Sequence, residues 1–320
     1  MPMENASPLD EKLQILKRIE DIGNRDFDGV DVTKLLKGYL HSSDPEIMLS
    51  ALQAASNYVS DESLFQEIFK MAHDYPEEEI RAMANSCLGA VIQDGLEYED
   101  QLPPGFPSGY ASVTREFYQT VRDFLLAKVD ALMESMEVRR RALEALGYLG
   151  FQPEVRQIVM RFYHQAPNPY VKVSALYAMG LIKDAVFERL ILEELYSVSE
   201  PVLLEAVHSA AGLELHAAEE RLMQLSKSPS TDIRYESVVA LGAVAPISRL
   251  PEIIKNLEAN EQSEEVREAI LVAKSCLKQR SALNKGESIW DDNLILNEIE
   301  DILDNPESED EGNASNNDGV

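Results

Sequence analysis

The sequence predicts an all-α protein, folded as a right-handed α-solenoid (superhelix) of about seven helical hairpins with terminal capping helices. Two observations lead to this prediction. A motif of apolar and small residues recurs seven times at nearly even spacing, and a second segment with helical apolar periodicity lies between consecutive copies. Each copy begins at an apolar anchor residue, and the anchors are Ile47, Ile80, Val138, Val171, Val202, Ile233 and Val266.

Each motif is predicted to form a helix that buries one face. Small or apolar residues follow the anchor at offsets 4, 7, 8 and 11, which fall within a stripe about 100° wide on a helix. The residue at offset 7 is small in every copy, so we expect another helix to cross there at short distance. These small residues are Ala54, Cys87, Ala145, Ala178, Ser209, Ala240 and Ala273.

The starts of the motif helices are predicted from their capping residues. Three residues before six of the anchors stands a side chain whose oxygen can accept from the unpaired amides of a helix start. Prolines and acidic residues follow in the first turn, where the missing donor and the positive helix dipole favour them. The six capping residues are Asp44, Ser135, Asn168, Ser199, Ser230 and Ser263.

A second helix is predicted between consecutive motif helices, so that each repeat is a pair of helices. These partner segments are Leu64 to Ala72, Phe117 to Met133, Val155 to Tyr163, Val186 to Tyr196, Glu219 to Leu225 and Leu250 to Leu257. One position after five anchors stands a basic residue, which we expect to bond groups at the helix start of the adjoining repeat. The five basic residues are Arg81, Arg139, Lys172, Arg234 and Arg267.

The motif resembles that of the HEAT-repeat family, especially the short form named after phycobilisome-lyase-like proteins. The second helix of that form reads roughly Asp-Pro-x-Val-Arg-x-x-Ala-x-x-Ala-Leu-Gly. Two copies match it well, through Glu137, Val138, Arg139, Ala142, Ala145, Leu146 and Gly147, and through Asp232, Ile233, Arg234, Ala240, Leu241 and Gly242. The resemblance covers about residues 30 to 280. It implies HEAT-like hairpins and, as for most members, an interaction scaffold.

The chain divides into four regions. Residues 1–7 are predicted to be a disordered start, and residues 8–283 the HEAT-like α-solenoid with an insertion loop at 94–112. Residues 284–304 are predicted to be a helix that caps the last repeat, because a solenoid end needs a cover. Residues 305–320 have too little apolar content to fold and are predicted to be a disordered acidic tail.

The C-terminal helix has a second interpretation. Its apolar stripe includes Trp290, Ile295 and Ile299, and such a stripe can also insert into the groove of a partner protein. In that case the protein is a fixed subunit of a larger complex, and the helix docks on a neighbour instead of capping the array.

Charge limits the classes of partner. The chain has 29 basic and 57 acidic residues among 320, for a formal net charge of −28. Such a surface repels phosphate backbones and anionic lipid, so we expect no nucleic-acid or membrane partner and instead a basic or neutral protein or peptide. Without a long apolar run or a leader pattern, the chain is predicted to be cytoplasmic, with reduced cysteines, and monomeric on its own.

The concave face of the array is the main candidate site. In HEAT-type arrays the unburied faces of the second helices line the concave side, and Tyr and Arg are frequent anchors at interfaces. Here the face opposite the buried stripe consists of Arg140, Glu144, Tyr148, Val173, Tyr177, Leu204, His208, Tyr235 and Val239. The run of arginines at 139–141 also predicts at least one guanidinium free for a partner. The alternative is that neighbouring repeats bury these residues.

The insertion loop is a second candidate site. Its prolines and glycines interrupt the helices, and insertions in repeat arrays often lie on the binding face. Tyr98, Phe106 and Tyr110 stand among acidic residues there and are predicted to contact a partner. The alternative is that Phe106 and Tyr110 pack down on the second and third repeats.

The sequence predicts no catalytic residue, cofactor or metal site. Deoxyhypusine hydroxylases, a HEAT-like family, bind iron through repeated His-Glu dipeptides, and this chain has none; its Glu205-x-x-His208 has no second copy. We therefore predict a non-catalytic scaffold, adaptor or assembly factor. The enzyme alternative is a bilin-lyase-like protein that handles a chromophore. Its pigment would be held by Arg140, Tyr177, His208 and Tyr235.

Overall fold

The computed structural model describes residues 8–24, 31–99, 102 and 111–284, and all regular structure in these ranges is helical. The α-helices are α1 (Pro8–Gly23), α2 (Val32–Leu40), α3 (Pro45–Ala55), α4 (Glu62–Asp74), α5 (Glu78–Cys87), α6 (Gly89–Asp94), α7 (Arg115–Asp130), α8 (Met136–Leu146), α9 (Pro153–His164), α10 (Pro169–Ile182), α11 (Glu188–Glu194), α12 (Glu200–Gly212), α13 (Glu219–Leu225), α14 (Thr231–Val244), α15 (Leu250–Asn260) and α16 (Glu264–Asn284). The all-α prediction is confirmed.

The hairpins stack as the repeat pattern predicts. The motif helices are α3, α5, α8, α10, α12, α14 and α16. Each packs against the partner helix before it in its own hairpin, and the first six also pack against the motif helix of the next hairpin. This arrangement is an α-solenoid, in which each unit contacts mainly its neighbours. No helix in the described ranges combines the length and the apolar character that crossing a bilayer requires.

Helix α1 covers the first motif helix in the way that one motif helix covers the next. It packs on α3, where the Tyr58 hydroxyl donates to the carbonyl of Ile22 at 2.7 Å and the Asn57 amide donates to that of Gly23 at 2.8 Å. The amino-terminal end of the array is therefore covered by a helix, α1, that is hydrogen-bonded to the first hairpin. The C-terminal cap predicted for 284–304 and the tail at 305–320 lie, apart from Asn284, outside the described residues, as does the start at 1–7.

Neighbouring motif helices cross closely at the small residues of offset 7. All seven of these residues are buried. A Cβ placed on Gly147 would lie 3.3 Å from the Cα of Ala178, and one placed on Gly242 would lie 3.1 Å from the Cα of Ala273. The glycine at offset 9 of one motif helix thus faces the small residue at offset 7 of the next. The predicted short crossing is confirmed.

Most of the predicted caps form. The side chains of four predicted N-caps accept a hydrogen bond from a backbone N–H two or three residues further on, at 2.9 to 3.5 Å. Helices α12 and α16 also begin directly after their predicted caps, but Ser199 makes no such bond. The four bonded caps are Asp44, Ser135, Asn168 and Ser230.

The basic residues at offset 1 tie the hairpins together. Three of them donate to a carboxylate in the next hairpin, as predicted, and the pairs are Arg81–Glu134 at 3.0 Å, Lys172–Glu194 at 2.8 Å and Arg234–Glu261 at 2.9 Å. Arg139 and Arg267 instead donate to backbone carbonyls of their own hairpins. A guanidinium can bond several acceptors in one plane. The arginines at offset 1 therefore fix the loop between the two helices of a hairpin.

Candidate functional site

The nine residues predicted for the concave face lie on α8, α10, α12 and α14, with Tyr148 in the turn after α8. We call them the motif row. Tyr177 is 39% exposed, and the His208 side chain is 48% exposed. The other members differ in burial. Five pack partly against the core and keep some exposed surface, and these are Tyr148, Val173, Leu204, Tyr235 and Val239.

Arg140 and Glu144 do not present free groups to a partner, so this part of the site prediction is wrong. They are only 9% and 8% exposed. The Arg140 guanidinium donates to Glu144 at 3.2 Å and to the Ser174 hydroxyl at 3.1 Å, and that hydroxyl donates to Glu144 at 2.5 Å. Ser174 belongs to the next motif helix. Because α10 crosses α8 so closely, it covers the side of α8 that we expected to be open.

The run of arginines at 139–141 contains no free guanidinium, contrary to the prediction. Arg139 donates to the carbonyl of Val129 at 3.0 Å. Arg141 donates to Glu144 at 3.0 Å, and both Arg140 and Arg141 bond Glu137. Two arginines and two glutamates on one helix therefore neutralise each other, as i, i+3 and i, i+4 pairs do.

Tyr148 and Tyr177 line a cleft of about 250 Å³. Burial raises the pKa of Tyr177 to about 12, with further contributions from Tyr148, Glu144 and Glu205, and burial also raises the pKa of Tyr148. Both hydroxyls are therefore protonated at neutral pH and can donate and accept hydrogen bonds. The rest of the lining is small or polar and consists of Ser56, Asn57, Ser86, Gly89, Ala90, Gln93, Glu144 and Ala145.

His208 lies between two carboxylates from neighbouring motif helices. Its Nδ1 is 3.9 Å from Glu205, on its own helix, and its Nε2 is 2.8 Å from Glu236 on α14. These two groups raise the pKa of His208 to about 9, while burial raises the pKa of the Glu205 carboxyl. His208 is thus a cation at neutral pH, held in place across the groove between α12 and α14.

We expect His208 to make stability pH-dependent in a defined window. Because its folded pKa of about 9 lies above the usual 6.5, the ion pairs contribute fully below pH 6.5 and their contribution is lost as pH rises toward 9. The wild-type free energy of unfolding should fall over this range relative to that of His208→Gln. Urea unfolding at several pH values measures the difference, with His164→Gln as a control for removing an exposed imidazole. A wild-type advantage that stays constant up to pH 9 would contradict the assignment.

The insertion is anchored at both ends. The Asp94 carboxylate accepts from the backbone amides of Ser112 at 2.7 Å and Val113 at 3.0 Å, and the Tyr98 hydroxyl donates to the carbonyl of Val113 at 2.9 Å. The guanidinium of Arg115 lies 4.8 Å from the Tyr98 ring centre. Tyr98 therefore holds the base of the insertion together, where we had predicted a contact with a partner.

The other predicted contacts fall outside the described residues. These are Phe106 and Tyr110 in the insertion and Trp290, Ile295 and Ile299 in the C-terminal segment. Within the described ranges, no three His, Cys, Asp or Glu side chains come close enough together to hold a metal ion.

Glu205, Glu236 and Ser174 belong to the site, but the sequence reasoning did not select them. All three stand at offset 3 of their motif helices, directly after the motif-row residues Leu204, Tyr235 and Val173. The signal was present in the repeat, since offset 3 is Arg141, Ser174, Glu205 and Glu236 in four consecutive motif helices. A polar residue at this offset in four consecutive copies indicates a surface that neighbouring helices share.

Sequence comparison gives no relative for this chain: no family model matches it, and neither does any curated protein. Structure comparison gives distant matches. A complex of CpcE and CpcF of phycocyanin lyase from Nostoc sp. PCC7120 has a TM-score of 0.47 and 15% identity, covering 78% of this chain and 97% of that one. Escherichia coli YibA has a TM-score of 0.39 and 14% identity, covering 86% and 99%. Human deoxyhypusine hydroxylase in complex with glycerol has a TM-score of 0.33 and 15% identity, covering 84% and 99%. At these values the similarity does not extend to activity.

Proposed function

We propose that this protein is a non-catalytic adaptor or assembly factor of the HEAT-repeat type, which holds a segment of another protein on the motif row. The observation that supports this most is the partial exposure of Tyr177 and His208 beside five further partly exposed residues on consecutive motif helices. Tyrosines and aliphatic side chains that keep exposed surface next to a packed floor are typical of interface anchors.

The motif row offers a peptide two kinds of contact. Toward α5 and α8, the cleft beside Tyr148 and Tyr177 provides hydroxyl and amide groups, which can bond a peptide main chain. Toward α12 and α14, Leu204, Tyr235 and Val239 provide apolar surface around His208. A segment with apolar side chains and an accessible main chain fits both parts.

The charge of the chain supports a basic or neutral partner. The net charge of −28 favours association with positive surfaces and disfavours nucleic acid and anionic membrane. We place the protein in the cytoplasm, as a monomer until it binds. In this proposal Arg140 and Glu144 have a supporting role, because their bonds to each other and to Ser174 hold α8 and α10 in fixed positions beneath the groove.

The double variant Tyr177→Ala, Tyr235→Ala tests the proposal. We expect the partner to bind it at least about 30-fold more weakly, since truncating a central aromatic anchor commonly costs about 2 kcal/mol or more. A pull-down from native lysate of the source cells, with wild type and variant as baits, identifies the partner by mass spectrometry. A titration with the purified partner then measures the change in Kd.

Val186→Ala is the matched control, because Val186 is an exposed apolar residue outside the motif row. It should bind like wild type, and circular dichroism should show all variants to be equally helical. Equal capture by wild type and the double variant would contradict the proposal. A bound pigment with visible absorbance would instead favour the bilin-lyase-like alternative.

A further inference from the structure

Five large apolar side chains project from one edge of the array. This edge, which we call the loop edge, is where each partner helix ends and the next motif helix begins. In three consecutive hairpins it exposes apolar residues, and Met133 and Val198 are fully exposed. We call the set the apolar row, and it consists of Leu132, Met133, Tyr170, Tyr196 and Val198.

The three hairpins are in direct contact along this edge. Arg161 near the end of α9 bonds Asp130 at the end of α7, and Tyr163 donates to Glu194 at the end of α11 at 2.6 Å. Arg221 of α13 then donates to the carbonyl of Leu195 at 3.1 Å. The loops that carry the apolar row therefore lie side by side, and the exposed residues form one surface.

This surface differs from the ordinary scatter of exposed apolar side chains. Single exposed apolar residues are normal, but several in one patch usually mark an interaction site. Leu132 and Tyr196 even occupy the same position, three residues before the capping residues Ser135 and Ser199. Loops that serve only to connect helices have no need of aliphatic side chains facing water.

The charges beside the row favour a positive partner. Most basic side chains at this edge form ion pairs, such as Lys172 with Glu194. Glu200 and Asp232 are exposed at the starts of the next two motif helices, and neither forms an ion pair within the described ranges, whereas Lys227 is a single exposed cation between them. Together with the net charge of −28 over the whole chain, these two carboxylates favour a basic partner surface at this edge.

The spacing of the row indicates the form of the partner. Packed helices lie about 8–10 Å apart, so the row advances by about that distance per hairpin. On a helix, residues i and i+7 share a face and are about 10.5 Å apart. On a strand, residues i and i+3 are about 10 Å apart, but their side chains point to opposite faces of the strand. A polyproline II segment repeats at about 9.3 Å, yet it docks in grooves lined by aromatic rings. The apolar row is a projecting edge with two tyrosines, and its three most exposed members, Leu132, Met133 and Val198, are aliphatic.

We propose that the apolar row docks a basic amphipathic helix of a partner protein, with apolar side chains repeating every seven residues. The helix lies across the loop edge and meets the three hairpins with three successive seven-residue repeats. This surface lies at the loop edge and shares no residue with the motif row, so the protein can hold two segments at once, either from one partner or from two.

Fluorescence anisotropy with three labelled peptides of 21 residues tests the proposal. The first has leucines in a seven-residue repeat and lysines elsewhere, the second replaces its lysines by glutamates, and the third scrambles the first. We expect the full-length protein to bind the first peptide at least tenfold more tightly than either of the others. In Met133→Ser, Val198→Ser this binding should fall at least tenfold, while Val186→Ser and Tyr177→Ala should bind as wild type does.

Each other outcome would overturn the proposal. Unchanged binding by the double variant would place the peptide elsewhere, and loss of binding in Tyr177→Ala would assign it to the motif row. Equal binding of the scrambled peptide would mean that charge alone acts. Tighter binding of a fourth, proline-rich basic peptide of the same length would replace the helix by an extended chain. If wild type forms dimers in sedimentation velocity and the double variant does not, the row is a self-association surface. Because both replaced side chains are fully exposed, the fold should be unaffected.

Discussion

Replacing Arg140 by alanine should lower the free energy of unfolding by about 1–3 kcal/mol, because it removes one of the two guanidinium groups that bond the buried carboxylate of Glu144. The guanidinium is the link between Glu137, Glu144 and Ser174. Its removal leaves the Glu144 carboxylate, which belongs to a residue only 8% exposed, with Arg141 and Ser174 as its remaining partners. Urea unfolding followed by circular dichroism measures the loss.

The control for this prediction is Arg189→Ala. Arg189 also pairs with a glutamate on its own helix, Glu193, but its side chain is 83% exposed. Exposed pairs of this kind contribute only about 0.3–0.5 kcal/mol. A second variant, Arg140→Met with Glu144→Leu, removes both charges and should recover most of the lost stability. If Arg140→Ala costs no more than Arg189→Ala, the side chain is solvated and remains a candidate for partner contact.

Gly242→Ala should destabilise the array by about 1–3 kcal/mol, through overpacking at a helix crossing. The added Cβ would lie 3.1 Å from the Cα of Ala273 and 3.2 Å from the Cβ of Cys276. Backbone and Cβ atoms cannot rotate away, so α14 and α16 must separate. Thermal and urea unfolding of the purified variant measure the effect.

Gly38→Ala is the opposite case. Gly38 lies within helix α2, and a Cβ there would meet nothing within 4 Å. Alanine at a helix position without steric conflict should stabilise by about 0.5–1 kcal/mol, because glycine loses more backbone entropy on folding. The two variants thus make the same chemical change with opposite expected signs. A neutral or stabilising Gly242→Ala would mean that the motif helices do not cross closely at offset 7.

The architecture could be predicted from the sequence because its signals are local and repeated. Capping at Asp44 and Ser135 depends on residues two or three positions away, and the small residues at offset 7 report a crossing that recurs in every hairpin. Because the same pattern recurs in seven copies, a chance match in one copy has little effect on the prediction. The direction in which the array curves leaves no such local signal, and its handedness remains a prediction.

The candidate site was only partly predictable, because burial depends on the neighbouring hairpin. The helical periodicity of α8 marks one buried face, but α10 covers a second one, so Arg140 and Glu144 became interior. Tyr177 and His208, at the same offset as Glu144 in the next two copies, keep a large exposed fraction. The small Ser174 opposite Arg140 gave the only clue to this difference.

The apolar row had almost no periodic signal, since only Leu132 and Tyr196 share a position in the repeat. Leu132, Met133 and Val198 lie in connections between helices, where the face of a residue cannot be read from its spacing. Their alignment depends on the stacking of whole hairpins. Only the contacts between hairpins show that residues more than 60 positions apart in sequence share one edge.

Photocrosslinking from position 177 tests the central proposal most directly. Benzoylphenylalanine in place of Tyr177 keeps an aromatic side chain in the motif row, and the same residue in place of Val186 reports an exposed position outside it. With the captured partner, we predict crosslinks from position 177 to one contiguous segment of the partner and none from position 186. Crosslinks from position 186 alone, or none from position 177 while the complex stays intact, would contradict binding on the motif row.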